Sequence, residues 1–414
     1  MSAERLSPLH VGLCPAEWKQ PYVEEVTDLL TNGFVGTSLP HQSENSETGI
    51  RYLQGFNVRP NNLDLSRTTW VTHDFHEKNR KSHLCKGDVL VVQSGHIGTA
   101  AVVPAEAAGS NCHAVIICRF KSELVDPDFA SQYLNSQIGQ ARLRGLHVGS
   151  SLPHINTSEL GRFKLPLPPL DEQRRLAHLW ITWDTAIQKT EQLIAAKEQR
   201  RDALIQRIYA LSDAHGNASY FREILEESIE AGSSGRHAKK ITVKLYGKGV
   251  LAKEEKRQGS EQTQYFVRRA GQLIYSKLDF LNGAFGIVPP ELDGFESTLD
   301  LPAFDIASTV NPVWLLGYLT RPTYYTRQVG LARGQRKARR VHPSDLLASS
   351  LHVPPRDLQD RIAAILTSSQ CDLDKSKRLV ESIKTQKRGL IQKLLTGQWR
   401  LPLPQTTTEE TIEC

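Results

Sequence analysis

Residues 327–340 hold six basic side chains and no acidic one: Arg327, Arg333, Arg336, Lys337, Arg339 and Arg340, with Gln335 among them. Such a cluster neutralises phosphates and releases their counterions. Each arginine can also grip a guanine edge through two hydrogen bonds. The bland alternative is a solubilising loop, and an unbroken run of one sign favours the phosphate role. An earlier stretch carries Arg142, Arg144, His147, Ser150, Ser151, His154 and Asn156. It is less charged and its polar groups suit base edges. The turn Gln93-Ser94-Gly95-His96 is a third candidate. Lys239-Lys240, after the flexible Gly232-Ser233-Ser234-Gly235, is a fourth. For these last three an ordinary surface loop stays open as the alternative.

Other chemistries lack their residues. No G-x-x-x-x-G-K-[ST] phosphate cradle occurs. Asn311-Pro312-Val313-Trp314 approaches the N-P-P-Y loop of amino-methyltransferases but lacks the second proline and the aromatic after it, and no glycine-rich cofactor loop lies upstream. Glu254-Glu255-Lys256 matches half of a nuclease motif inside a charged run that reads better as solvated surface. The 14 histidines show no H-x₃-H spacing, and the H-x-x-H at His73 and His76 reads as a loop rather than a zinc site. The six cysteines, Cys14, Cys85, Cys112, Cys118, Cys371 and Cys414, form no C-x-x-C pair. They fit reduced thiols in a cytoplasmic protein. No catalytic residue, metal or cofactor is therefore expected.

The elements that would carry the polar loops repeat within the chain. Residues 165–180, LPLPPLDEQRRLAHLW, match residues 351–366, LHVPPRDLQDRIAAIL, at seven of sixteen positions and an offset of 186. Shared positions include Pro168/Pro354, Pro169/Pro355, Asp171/Asp357, Gln173/Gln359 and Arg175/Arg361. Leu204-Ile205-Gln206 aligns with Leu390-Ile391-Gln392 without a gap. Both segments predict long helices after a Pro-Pro stop, with Asp171 and Asp357 as acidic N-caps. Apolar residues step by four and three: Leu176, Trp180, Trp183, Ile187, Ile194, Leu204 and Ile208 in one, Ile362, Leu366, Leu373, Val380, Ile383, Leu390 and Leu394 in the other. That spacing predicts a coiled-coil seam, with two helices packed on their own domains as the alternative. Some 37 residues of such a helix make a rod of roughly 55 Å.

The sequence before each helix repeats more weakly. GDVLVVQSGHIGTAAVV at 87–103 and GQLIYSKLDFLNGAFGIVP at 271–289 share a strand-turn-strand rhythm, and Thr157-Ser158-Glu159-Leu160 aligns with Pro343-Ser344-Asp345-Leu346. With 414 residues, more than one core is expected. The reading is α+β: two mixed α/β domains at 1–164 and 220–350, long helices at 165–211 and 351–400, a linker at 212–219, and a disordered tail at 401–414. A net charge of +6 leans weakly towards an acidic partner, and no apolar run predicts a membrane span. The start, Met1-Ser2-Ala3-Glu4-Arg5, does not read as a signal peptide.

The arrangement resembles the specificity subunit of type I restriction–modification systems along nearly the whole chain. The residues that carry the resemblance are Pro15-Ala16-Glu17-Trp18, Lys86-Gly87-Asp88-Val89-Leu90-Val91-Val92 with Ser94-Gly95, the helix start Leu165 to Gln173, and the ending Leu390-Ile391-Gln392-Lys393-Leu394-Leu395-Thr396-Gly397. The second half departs from the pattern, with Gln272 in place of the aspartate and Leu278 in place of the serine. The resemblance implies two target recognition domains that each read half of a split double-stranded DNA site. It implies an antiparallel coiled-coil spacer about a pseudo-twofold axis. It also implies two modification (methyltransferase) subunits as partners, with a motor-nuclease restriction subunit as an optional third. A coiled-coil scaffold without specific DNA reading, and an enzyme with unfamiliar motifs, are the competing readings.

Overall fold

The computed structural model describes residues 14–44, 46–146, 154–254, 259–334 and 339–402. The chain forms two compact units, one from the residues up to Glu191 together with those from Leu379 onward, the other from Gln192–Arg378.

In the first unit the strands are β1 (Thr27–Asn32), β2 (Gln42–Ser43), β3 (Ile50–Leu53), β4 (Val58–Arg59), β5 (Asn62–Leu63), β6 (Thr69–Val71), β7 (Val89–Val92), β8 (Ala100–Val102), β9 (Asn111–Cys112) and β10 (Val115–Phe120). They make an antiparallel sheet of order β1-β10-β7-β8, a second sheet of order β2-β6-β3-β9, and the hairpin β4–β5, which packs on β8. The helices are α1 (His73–Lys78), α2 (Pro127–Asn135), α3 (Gln137–Gly145) and α4 (Thr157–Gly161), followed by α5 (Leu170–His215).

The second unit repeats this plan. Its strands are β11 (Asn217–Tyr220), β12 (Leu225–Ser228), β13 (Glu230–Ser234), β14 (Ile241–Val243), β15 (Val250–Ala252), β16 (Gln264–Val267), β17 (Leu273–Tyr275), β18 (Phe285–Ile287), β19 (Glu296–Ser297), β20 (Ala303–Ile306) and β21 (Ser350–Val353). The sheet of order β12-β20-β17-β18 matches β1-β10-β7-β8 strand for strand, and the hairpin β14–β15 packs on β18 as β4–β5 packs on β8. Helices α6 (Pro312–Leu319), α7 (Pro322–Tyr325) and α8 (Pro343–Ala348) precede α9 (Arg356–Leu395).

Buried polar hardware shows how literal the repetition is. Gln173 Oε1 accepts from the Asp126 amide at 2.9 Å while its Nε2 donates to the Leu124 and Pro168 carbonyls. Gln359 does the same with the Asn311 amide at 2.7 Å and the Thr309 and Pro354 carbonyls. Asp126 and Asn311 are N-caps, each followed by proline at the first helical position. Asn311-Pro312-Val313-Trp314 is thus a helix start, which accounts for the motif without a cofactor. Gly87 and Gly271 open the β7–β8 and β17–β18 hairpins with φ of +90° and +88°, a conformation that favours glycine.

The departure at Gln272 is compensated. In the first unit Asp88 is buried, accepts from the Cys85 amide at 2.7 Å and receives Arg119 through two bonds of 2.8 Å. In the second, Gln272 accepts from the Arg269 amide at 2.9 Å and donates to Asp305 at 3.0 Å. Asp305 stands on β20 where Arg119 stands on β10. One copy uses an ion pair and the other a neutral-to-charged hydrogen bond for the same tie.

The long helices start one residue before the expected caps, so Asp171 and Asp357 lie inside the first turn, paired with Arg175 and Arg361 four residues on. There they favour the positive end of the helix dipole. Helix α5 continues to His215, so Ser212–His215 of the expected linker is helical and β11 takes Asn217–Tyr220. The apolar positions of α9 expected in the seam are all buried or half-buried. In α5 the strict heptad fails at Leu204, which is exposed, while Ile205 packs inward. A straight helix drifts by about 20° per heptad against a 3.5-residue repeat, which moves the seam to the next residue.

The helix ends belong to the cores of the units. In the first, Leu176, Trp180, Leu394 and Leu395 join Trp18 and Phe129, with Trp180 stacked on Phe129 at 5.7 Å. In the second, Tyr209, Ile362 and Leu366 join Trp314, and the Tyr209 hydroxyl donates to the Trp314 carbonyl at 2.7 Å. Within each unit the two helices pair through ions. Lys384 meets Glu191, and Lys387 meets Asp184, in the first unit. Lys197 meets Asp372, and Lys377 meets Glu198, in the second. Lys387 occupies a seam position with its side chain only 10% exposed. Gln132 closes a triad with it, donating to Asp184 at 2.6 Å and accepting from Lys387 at 3.4 Å.

Candidate nucleic-acid interface

In the first unit the turn between β7 and β8 is held open by glycines at Gly95 and Gly98, with φ of +77° and +75°. Ser94 and His96 on it are exposed. Ser94 pairs with His154 in an antiparallel bridge, so the turn and the segment before α4 form one exposed edge. His154 and Arg144 are exposed beside it. Ser150 and Ser151, with His147, lie outside the described residues.

Two sequence candidates here are bound into the fold. Gln93 is 4% exposed; its amide nitrogen donates to Asn32 Oδ1 at 2.9 Å and to the Ile155 carbonyl, and its own carbonyl accepts from the Ile155 amide. Asn156 is the N-cap of α4, accepting from the Glu159 amide at 2.9 Å while Glu159 accepts from the Asn156 amide at 2.8 Å. Such a reciprocal box occupies the Oδ1 acceptor that a base edge would need. Arg142 also points inward, donating to the Tyr133 hydroxyl at 2.7 Å over the Phe163 ring.

The second unit builds the corresponding edge from different residues. The Val341 amide donates to the Lys277 carbonyl, as the Ile155 amide donates to that of Gln93, so Leu278 stands where Ser94 stands. Arg333 and Arg340 face each other across an antiparallel bridge, with backbone bonds of 2.9 and 2.8 Å. Gln335, Arg336 and Lys337 lie outside the described residues. The basic run is less isolated than its sequence: Arg333 pairs with Asp345 and Arg340 approaches Asp300 at 3.6 Å, both acids from outside the run. Arg327 and Arg339 are exposed, with no ion pair among the described residues. Lys239 is exposed, whereas Lys240 is 7% exposed with its ammonium 5.4 Å from the centre of the Tyr265 ring, so Lys240 is a packed stem rather than a surface cation.

The other motifs settle into structure. His73 and His76 belong to α1, and His76 stacks on His83 at 3.6 Å. Burial and the neighbouring His83 lower the His76 pKa. Among the described residues no group of His, Cys, Asp and Glu is placed to hold a metal ion. Of Glu254-Glu255-Lys256, only Glu254 is described, and it is exposed.

Sequence reasoning missed the hairpin β14–β15. Its tip, Lys244-Leu245-Tyr246-Gly247-Lys248-Gly249, is held against the β17–β18 turn, with Tyr246 and Gly247 amides donating to the Asn282 and Gly283 carbonyls at 2.9 and 2.8 Å. Two glycines after a tyrosine signalled a turn but nothing more specific.

Comparison with known proteins decides what carries these edges. Residues 24–198 match the family described as the type I restriction modification DNA specificity domain. The chain is 25% identical over 204 residues to the type I restriction enzyme MjaVIII specificity subunit of Methanocaldococcus jannaschii, covering 47% of each chain. It is 20% identical over 183 residues to the EcoBI specificity subunit of Escherichia coli, covering 44% of this chain and 36% of that one. The matched stretch is thus similar to type I specificity subunits. The matches span about half the length of these curated relatives or less. The fold extends further. The S subunit of a type I system from M. genitalium covers 94% of this chain with a TM-score of 0.54 at 16% identity, 97% of that subunit being matched. A structure described under complex assembly and conformational transition of the type I R-M system covers 93%, and is itself 99% matched, with a TM-score of 0.56 at 15% identity. The second unit, which the family match barely enters, therefore shares the fold of these structures.

Proposed function

We propose that this chain is a specificity subunit that reads a bipartite double-stranded DNA site, one half through each unit, and carries no catalytic site of its own. It directs two methyltransferase subunits to that site, and a motor-nuclease subunit where one is present, in the cytoplasm. The observation that supports this reading is the duplication of one scaffold whose exposed turn differs between copies. A scaffold protein would have no use for two rigid frames with divergent turns. No helix among the described residues is long and apolar enough to cross a membrane. Proposed contacts are Ser94, His96, His154, Ser150 and Ser151 in the first unit, and Lys239, Arg333, Gln335, Arg336, Lys337, Arg339 and Arg340 in the second.

Methylome sequencing of a host with and without this gene tests the reading. The expected result is one gapped motif whose adenine methylation disappears with the gene. An unchanged methylome in a host that expresses functional partner subunits would overturn it. The purified chain alone is expected to transfer no methyl group from S-adenosylmethionine and to hydrolyse no ATP. The helices are the proposed ruler: inserting four residues after Gln192 adds about one turn, roughly 6 Å, and should lengthen the gap by one or two base pairs while both half-sites keep their bases.

A further inference from the structure

The second unit carries apolar side chains on its reading edge where the first carries polar ones. Leu278, in the place of Ser94, is 45% exposed, and Leu245 and Tyr246 on the neighbouring hairpin tip are 37% and 61% exposed. One turn joins them: Leu278 lies within it, and its Asn282 and Gly283 carbonyls anchor the Tyr246 and Gly247 amides. The tip is further closed by the Lys244 amide donating to the Gly249 carbonyl at 2.9 Å.

Tyr246 is held in a left-handed conformation, φ +58°, which a bulky side chain rarely adopts. The counterpart hairpin of the first unit has Asn61 at its tip with the same φ of +58°, and there the side chain turns inward to accept from Ser131 and Asn135. Asparagine tolerates this backbone because its side chain bonds locally. Tyrosine gains no such bond, yet it is presented outward on a pinned backbone. Strain kept at an exposed site points to use.

The surroundings select the occupant. Lys244 and Lys248 flank the tyrosine and are exposed, with the Lys248 ammonium 6.0 Å from the ring centre. Arg339 and Arg340 stand on the segment bonded to the same turn through Val341 and Lys277. Cations surrounding apolar groups suit a polyanion that presents an apolar feature between its phosphates. On duplex DNA that feature is the 5-methyl group of thymine, the apolar mark on a major-groove base edge.

We propose that the second unit reads thymine through its 5-methyl groups, with Leu278, Leu245 and Tyr246 as the apolar contacts and the flanking lysines on the phosphates. This rests on the reading of the chain as a DNA-recognition subunit. Covering one methyl is worth about three- to five-fold in affinity, so two contacted thymines give about ten-fold.

The test uses the full chain, assembled with its modification subunits, and a randomised duplex library amplified with dTTP or with dUTP, which lacks only the methyl. The thymine pool should yield a gapped motif. In the uracil pool one half-site should lose about ten-fold in enrichment while the other keeps its bases. Leu278→Ser, an exposed change that copies Ser94, should abolish the thymine–uracil difference and leave the first half-site intact; Tyr246→Ser should reduce that difference. Equal enrichment in both pools would overturn the inference and leave the DNA reading standing. No motif in the thymine pool would defeat the DNA reading itself. If Tyr246→Ser abolishes self-association of the chain without changing the thymine–uracil difference, the patch belongs to a second copy and the inference is overturned.

Discussion

The two units place different chemistry on the same frame. The first presents Ser94, His96 and His154 along its edge, the second Leu278, Tyr246 and a run of arginines. Behind these edges the parts barely change: a glutamine that ties a helix start to a cap, a left-handed glycine before the first strand of a hairpin, and a polar tie between neighbouring strands. Where the frame does change, at Asp88 and Gln272, its partner changes with it. Buried polar groups have few alternatives, because each must find a partner. Exposed turn residues face water and are free to be respecified.

The largest expected effect breaks the tie in one unit. Arg119→Leu leaves the Asp88 carboxylate buried without its cation and should cost about 3 kcal/mol. Chemical denaturation followed by hydrogen exchange along β7 and β10 measures it. Adding Asp88→Gln and exchanging Leu for Asp at position 119 copies the second unit and should recover most of the loss. No recovery would show that the two ties are not interchangeable.

A somewhat smaller effect should follow from Gln173→Ala or Gln359→Ala. Each strands a cap amide and two carbonyls, worth about 2 kcal/mol, and equal losses in the two units would confirm that the latches are equivalent. In the seam, Asp184→Ala strands Lys387, whose side chain is 10% exposed, at about 1–2 kcal/mol after allowing for the half-exposed carboxylate. Lys387→Met with Asp184→Leu should be neutral or stabilising, and thermal melting of the two variants checks the sign. Among the surface changes, Arg336, Lys337, Arg339 and Arg340 to Ala should lower the salt slope of DNA binding by up to about 0.9 for every phosphate that is no longer neutralised; an unchanged slope means that these side chains do not meet the backbone of the DNA. The smallest stability change is a gain: Tyr246→Gly relieves the left-handed backbone and should stabilise by up to about 1 kcal/mol while weakening binding.

The long-period features were legible in the sequence. Seven identities in sixteen residues and a sustained four-three spacing reported the duplication and both helices. The seam failed at Leu204, where helical drift accumulates. The candidate contacts were less legible, because polarity does not tell which way a side chain turns. Gln93 has a donor and Asn156 an acceptor that bases want, and the fold uses them first. Lys240 lies beside an exposed lysine but packs on Tyr265. Asp300 and Asp345, which offset Arg340 and Arg333, come from outside the basic window and could not be seen within it. Tyr246 had no motif to mark it, since only the backbone shows its strain.

The division of the helices between the units has a consequence for synthesis. The second unit is one unbroken stretch, Gln192–Arg378, while the first joins residues up to Glu191 with residues from Leu379 onward. Leu394 and Leu395 sit in the same core as Trp18 and Trp180. Of the two units, the one that begins earlier in the sequence is therefore completed later, after the other already has all of its residues. Until then its core has a bare apolar flank. A chain that stops anywhere before the final helix turns thus exposes the fault at its beginning, where a protease or chaperone can find it.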